Sequence, residues 1–335
     1  MSVDLESVAY LPRLVPAWAA AESGAAHRVI DGSLVLLDVT GFTRLTERLV
    51  RRGREGAEEL SDVLDAVFGG LLAEAEDEGA DLLKWGGDAV LLLLDGLDHT
   101  RRAGRAALRM HRALARVGRV STSIGRVVLR ASTGLDSGPV NLVLAGDPSQ
   151  HRELLVLGPT STRVTMLERA AGIGQVLVGK AAAAQLGAGV VAPWQDPGHR
   201  LVGMPARAES TRPQIGDPRA DIGAQRLLPP QLRTYLSQSS HEPEHRTVAV
   251  AFLRFDGTDA LLAADGPDAL TAAIDELVRN VQHVTAAHDV SFHETDVDAD
   301  GGKIMLVAGA PRSAGDDTDR LLATVREAVD RADRL

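Results

Sequence analysis

Apolar and polar positions along this chain alternate between two periods. The apolar run from Ser33 to Leu37 ends in Asp38 and predicts a strand buried on both faces. After Gly41, Phe42, Leu45 and Leu49 fall at helical spacing, and Leu60, Val63, Leu64, Val67, Phe68, Leu71 and Leu72 put one stripe on a longer helix from about Glu55 to Glu78. Two short apolar runs, Asp81 to Trp85 and Ala89 to Leu94, flank Gly86-Gly87 and predict a hairpin. A helix over Asp98 to Val117, strands near Leu129 to Leu135 and Glu153 to Leu157, a helix over Thr160 to Ala171 and a strand over Gln175 to Val178 follow. Strand, helices, hairpin, helix, strand is the order of an α+β fold of the ferredoxin-like, or palm-like, type, with helices against a mostly antiparallel sheet.

From about Ala188 to Glu244 the chain turns rich in Pro and Gly, including Pro229-Pro230, and reads as a linker. The pattern then starts again: Thr247 to Phe255 as a buried strand, Asp268 to Ala287 as a long helix, and Asp300-Gly301-Gly302-Lys303 as a glycine hairpin leading into Ile304 to Ala308. This predicts two copies of one unit. The expected organisation is an N-terminal extension (1–30), a first copy (31–187), the linker (188–244) and an incomplete second copy (245–335). Aligning Gly41 with Gly257 sets Arg254 against Asp38, and aligning the glycine pairs sets Lys303 against Asp88, so the second copy would lack both aspartates of the first.

Composition narrows the function. An apolar share of 44% with 24% charged residues is globular, and the longest apolar run, Ala89 to Leu94, is too short for a bilayer. Glu6, Arg13 and Pro16 interrupt any signal-like N-terminus, so a cytoplasmic location is the expectation. The absence of cysteine excludes disulfides, thiolate catalysis and zinc-thiolate sites. A net charge of -10 argues against nucleic acid as a partner, since phosphate neutralisation needs a basic face. Three of the 36 basic residues are lysines, which draws attention to Lys84.

Asp38 ends the first strand and Asp88 opens the second arm of the hairpin. Antiparallel neighbours in that order bring both carboxylates to one sheet edge, where they repel unless cations lie between them. Hard oxygen ligands without His or Cys suit Mg²⁺ or Mn²⁺. Beside them, Thr40-Gly41-Phe42-Thr43 is a glycine turn entering a helix, which aims backbone N–H groups at an anion. Metals next to a phosphate cradle point to a nucleoside triphosphate and two-metal catalysis. Against this stands the plain reading, in which a strand-end Asp caps a helix or turn and Lys84 is a solvated strand lysine.

Asp38-Val39-Thr40-Gly41-Phe42-Thr43-Arg44-Leu45-Thr46-Glu47 and Leu83-Lys84-Trp85-Gly86-Gly87-Asp88-Ala89 resemble the two metal motifs of the class III adenylate/guanylate cyclase family. The resemblance runs on through Gly134 to Gly138, Val156-Leu157-Gly158-Pro159-Thr160 and Ala171 to Val176, and the second copy resembles the partner domain of bacterial tandem-cyclase proteins. It implies two Mg²⁺ or Mn²⁺ ions on Asp38 and Asp88, backbone contacts from Val39, Thr40, Gly41, Phe42 and Thr43 to metal and phosphates, and Lys84 as the base-reading lysine. It also implies formation of cyclic AMP and pyrophosphate from ATP, with GTP as the alternative substrate, and pairing with the second domain or a second copy of the chain. Three positions depart from the family pattern. Leu155 stands where the family places a base-selecting Asp or Thr, and Thr162 and Met166 stand at the transition-state Asn and Arg. A weak cyclase, or one needing a longer chain or partner, is therefore expected. The alternative is a non-catalytic nucleotide-binding or dimerising module. A diguanylate cyclase is disfavoured because Ala89-Val90 stands where that family has an acid and an aromatic.

Overall fold

The computed structural model describes residues 11–15, 18, 26–193, 197–205, 227–236 and 246–332. Much of the expected extension and linker lies outside the described residues. The chain divides into two compact units, Ile30–Val140 with Arg163–Gly216, and Met1–Val29 with Asn141–Thr162 and Asp217–Leu335.

The first of these is built on a mixed sheet in the order β2-β3-β1-β6-β8-β10-β9, so the fold is α+β. Its strands are β1 (His27–Thr40), the hairpin β2 (Asp81–Gly86) and β3 (Ala89–Asp95), β6 (Arg130–Ala145), β8 (Val176–Val178), β9 (Val191–Pro193) and β10 (His199–Leu201). β1 and β3 are antiparallel, whereas β6 and β8 are parallel. A separate hairpin, β4 (Arg119–Thr122) with β5 (Gly125–Val128), precedes β6. Helices α1 (Phe42–Val50), α2 (Arg54–Glu76), α3 (His99–Val117), α4 (Pro159–Ala170) and α5 (Lys180–Leu186) complete the set, α4 beginning in the other unit.

The predicted stripe on α2 is what closes the core. Val63, Val67, Phe68 and Leu71 pack with Val35, Leu37 and Val39 of β1, Leu92 and Leu94 of β3, and Met110 and Leu114 of α3. A second link between α2 and α3 is ionic. Glu78, fully buried just after α2, accepts from Arg105 Nε at 3.0 Å and Arg109 Nη1 at 3.1 Å, and Arg102 Nη1 donates to its carbonyl at 3.1 Å. Buried charge survives there because each carboxylate oxygen meets a guanidinium.

The other unit holds the far end of β6, whose residues Asn141 to Ala145 pair antiparallel with β7 (Glu153–Leu157). It also holds α6 (Pro230–Leu236) and the run β11 (Ala249–Asp256), α7 (Thr258–Ala287), β12 (Ser291–Asp298), β13 (Gly301–Ala308), α8 (Asp317–Ala332). Its sheet is ordered β11-β13-β12 and antiparallel. Strand, helix, hairpin, helix thus occurs twice in the chain. Val143, Leu155 and Leu157 share a core with Leu270, Ile274, Val278, Phe292, Ile304 and Leu306.

Two expectations change. β9 and β10 lie inside the stretch read as linker and extend the sheet, their few residues being too short to show a period in sequence. The glycine-pair alignment is also displaced. Asp38 faces Ala89 across the ladder and Arg254 faces Lys303, so Lys303 matches Ala89 rather than Asp88. The hairpin loops are Gly87-Asp88 and Ala299-Asp300, which makes Asp300 the loop counterpart of Asp88. Asp300 thus sits in the second hairpin loop where Asp88 sits in the first, although the ladder register sets Gly302 against Asp88. Its Gly301-Gly302 pair serves a different end from Gly86-Gly87: a Cβ on Gly301 would lie 2.2 Å from the carbonyl oxygen of Phe255, while Gly87 has open space and a φ of +70°.

Candidate active site

β1 runs into the site through its buried residues and releases Asp38 half-buried at its end, opposite Ala89. One position on, the Val39 amide donates to the Asp88 carbonyl oxygen at 2.8 Å, which fixes the hairpin loop beside the strand end. The two carboxylates thus belong to adjoining backbone segments, as the element order demanded. Thr43 Oγ1 donates to Asp88 Oδ2 at 3.2 Å and ties the loop to α1.

Gly41 makes the turn with φ +94°, a left-handed conformation that an L side chain adopts only under strain. Space is not the reason for glycine here, because an added Cβ would meet nothing closer than 3.9 Å. Phe42 then anchors α1, its ring edge-on to Phe68 at 6.2 Å, and Phe68 in turn lies 4.7 Å from Trp85 on β2. Among the described residues no protein group accepts from the amides of Gly41, Phe42 or Thr43. A helix start with free amides and positive dipole end is suited to an anion.

The electrostatics of the pair are unfavourable in the protein alone. Asp38 is pushed up to about 7, by burial first, then by the charges of Asp88 and Glu168. Glu168 on α4 accepts from Ser132 Oγ at 2.7 Å. Sequence reasoning missed it, and the only signal was its place two residues after Met166 on the predicted helix. Among the described residues, no group of three or more His, Cys, Asp or Glu side chains is arranged to hold a metal ion. Asp38 and Asp88 fit Mg²⁺ or Mn²⁺ by donor chemistry, as hard, mutually repelling carboxylates. The remaining ligands of such an ion would be backbone, water or phosphate oxygens.

Lys84 stands on β2 opposite Leu91, after a bulge at Leu83, with β3 between its strand and β1. Val39 is fully buried and Thr40 is the last residue of β1. Leu155 is buried and pairs with Val143, so it presents no polar group to a base. Met166 is 47% exposed on α4, and Thr162 Oγ1 accepts from the amide of Asp300 at 2.9 Å. In the three-stranded sheet, Arg254 on β11 is 3.4 Å from Asp298 and Lys303 on β13 is 3.3 Å from Asp296, so both cations are paired along their own sheet.

No family model matches the chain. It is similar to adenylate cyclase type 10 of Homo sapiens, with 26% identity over 152 residues, 44% of this chain and 9% of that protein. The Rattus norvegicus protein of that name is 24% identical over 178 residues, 51% of this chain and 11% of the relative. The chain thus spans about a tenth of the length of the curated relatives it matches. Among solved structures it is similar to the guanylyl cyclase Cya2 (20% identity, 56% of this chain, 98% of that one, TM-score 0.45). A second is the adenylyl cyclase CyaB from P. aeruginosa (17% identity, 54% of this chain, 98% of that one, TM-score 0.46). Its sequence likeness is thus to adenylate cyclase type 10, over about half of its own length. Among the described residues no helix is long and apolar enough to cross a membrane.

Proposed function

We propose that the chain is a nucleotidyl cyclase-type protein that binds a metal–nucleoside triphosphate at Asp38, Asp88 and the Gly41 turn, and forms cyclic AMP and pyrophosphate from ATP slowly or only with a further chain. GTP is the alternative substrate. The observation that carries this reading is the pairing of two adjoining carboxylates, one pushed up to about 7 by burial and by the other, with a helix start whose amides are open. Such a pair is stable in its ionised form only with cations between its members.

Two divalent ions would neutralise the triphosphate and the departing pyrophosphate. The chain's own groups do the rest. Asp38 and Asp88 hold the charge that fixes the ions, the amides of Gly41 to Thr43 orient phosphate oxygens, and Lys84 is assigned to the base. The run from Ala249 to Ala332 is read as a second cyclase homology copy, spanning 245–335, that pairs with the first (31–187) across the linker 188–244. Homodimerisation would supply the same kind of partner.

Thr162 and Met166 favour the second reading, a non-catalytic nucleotide-binding module. Thr162 is already engaged with the amide of Asp300, and a thioether donates no hydrogen bond. Losing one donor to developing oxyanion charge costs roughly 10²- to 10³-fold in rate. Titration calorimetry with Mn²⁺-ATP tests the site itself: binding is expected in the intact chain and not in an Asp38→Ala, Asp88→Ala double variant. Equal affinity in the two would remove the metal assignment. Product analysis with Mn²⁺ and ATP or GTP then separates cyclase from binding module.

A further inference from the structure

The start of α7 repeats the start of α1. Gly257 turns the chain with φ +84°, against +94° at Gly41, and a helix follows at once. The amides at the two turns fare differently. Those at Gly41 meet no protein acceptor among the described residues. Those at Gly257 are all taken by one residue of the hairpin loop: Gly257 N donates to Asp300 Oδ2 at 3.2 Å, Asp259 N to Asp300 Oδ1 at 2.8 Å, and Thr258 N to the Asp300 carbonyl at 3.3 Å.

We propose that Asp300 is a built-in stand-in for a bound phosphate, which closes the second turn to anions and leaves Gly41 as the phosphate-binding turn of the pair. This rests on reading the two runs as copies of one nucleotide-binding unit. An anionic group with two oxygens, each accepting from an amide at a helix start, has the charge and donor pattern that a phosphate would have there. Three features hold it in place. Asp300 adopts φ +58°, a left-handed conformation that Asp tolerates better than most residues. Its own amide donates to Thr162 Oγ1 at 2.9 Å. Gly301 and Gly302 let β13 approach β11 closely enough to carry the loop against the helix, since a Cβ at either would lie within 2.8 Å of a backbone oxygen or of the Phe255 ring. Asp300 occupies the loop position of Asp88, yet both its oxygens are spent on amides. Thr162, read from sequence as a lost catalytic position, acquires a role as the anchor of this plug.

The experiment is amide chemical-shift mapping on the full chain with inorganic tripolyphosphate as probe. In the unmodified chain, the amides of Gly41 and Thr43 are expected to shift and those of Gly257 and Asp259 to stay. In Asp300→Ala the latter should also shift, while Asp300→Asn, which keeps one oxygen acceptor, should leave them largely unresponsive. Movement of the Gly257 and Asp259 amides in the unmodified chain overturns the proposal, and that arm needs no variant to fold. A folded Asp300→Ala variant whose Gly257 and Asp259 amides ignore the probe also overturns it. Silence at Gly41 with a response at Gly257 in Asp300→Ala would sink the nucleotide site and leave the plug standing.

Discussion

Replacing Asp38 by an uncharged asparagine should stabilise the metal-free protein at alkaline pH. Folding raises the Asp38 carboxyl from 3.8 to about 7, so the folded chain holds that proton more tightly than the unfolded one. The resulting stability is fully present below pH 3.8 and is lost as pH rises to about 7. At about 1.36 kcal/mol per pH unit, the interval from 3.8 to about 7 corresponds to about 4 kcal/mol for a fully shielded group. Asp38 is half-buried, and solvent screening reduces the expected figure to about 2 kcal/mol. The amide introduced by Asp38→Asn carries no charge to repel Asp88, so this variant should exceed the unmodified chain by about 2 kcal/mol at pH 8 without divalent ions, with the gap closing toward pH 4. Mn²⁺ should raise the stability of the unmodified chain at pH 8 and leave the variant nearly unmoved, because ligand binding stabilises only the state that binds. Urea denaturation followed by fluorescence suits the test, since Trp85 stands on β2 of the same unit. No gap at pH 8, or equal stabilisation of both chains by Mn²⁺, would refute the reasoning.

Three further outcomes are expected. Glu78→Ala removes the shared partner of Arg105 and Arg109 and should cost about 3 kcal/mol or more, measured by urea denaturation; a loss under about 1 kcal/mol would mean that the ion cluster does not hold α2 to α3. His111, which is lowered to about 4 by burial and meets Thr133 Oγ1 at 2.9 Å, stays neutral in the folded chain while the unfolded chain takes up a proton below 6.5. Stability should therefore fall by up to about 3 kcal/mol between pH 6.5 and 4, and His111→Gln should flatten that slope in denaturation midpoints taken across the range. Thr162→Asn combined with Met166→Arg should raise cyclic nucleotide formation by roughly 10²-fold or more, while turnover by the unmodified chain on the order of 1 per second or faster would mean that α4 is wrongly read.

What the sequence determined is what local pattern can encode. The α2 stripe, the hairpin around Gly87 and the placing of Asp38 near the end of β1 follow from periodicity and turn chemistry, and once β1 and β3 are neighbours the two aspartates must adjoin. β7 and α4 were legible for the same reason, to within a residue at their ends. Tertiary structure decided whatever depends on pairing between distant segments. β6 extends over sixteen residues, and its far end joins β7 and the second core, because the partners that bury Val143 lie far along the chain, from Leu270 onward. Strands of three or four residues are too short to declare a period: β4 and β5 exist by pairing with each other, and β9 and β10 by extending the edge of the large sheet. Glu168 reaches the field of Asp38 through the packing of α4, which no spacing reports. The register of the second hairpin was set by backbone closeness at Gly301 and Gly302 rather than by the glycines as a turn, and so it is Asp300, which the sequence marked only as part of a glycine hairpin, that meets the amides of α7.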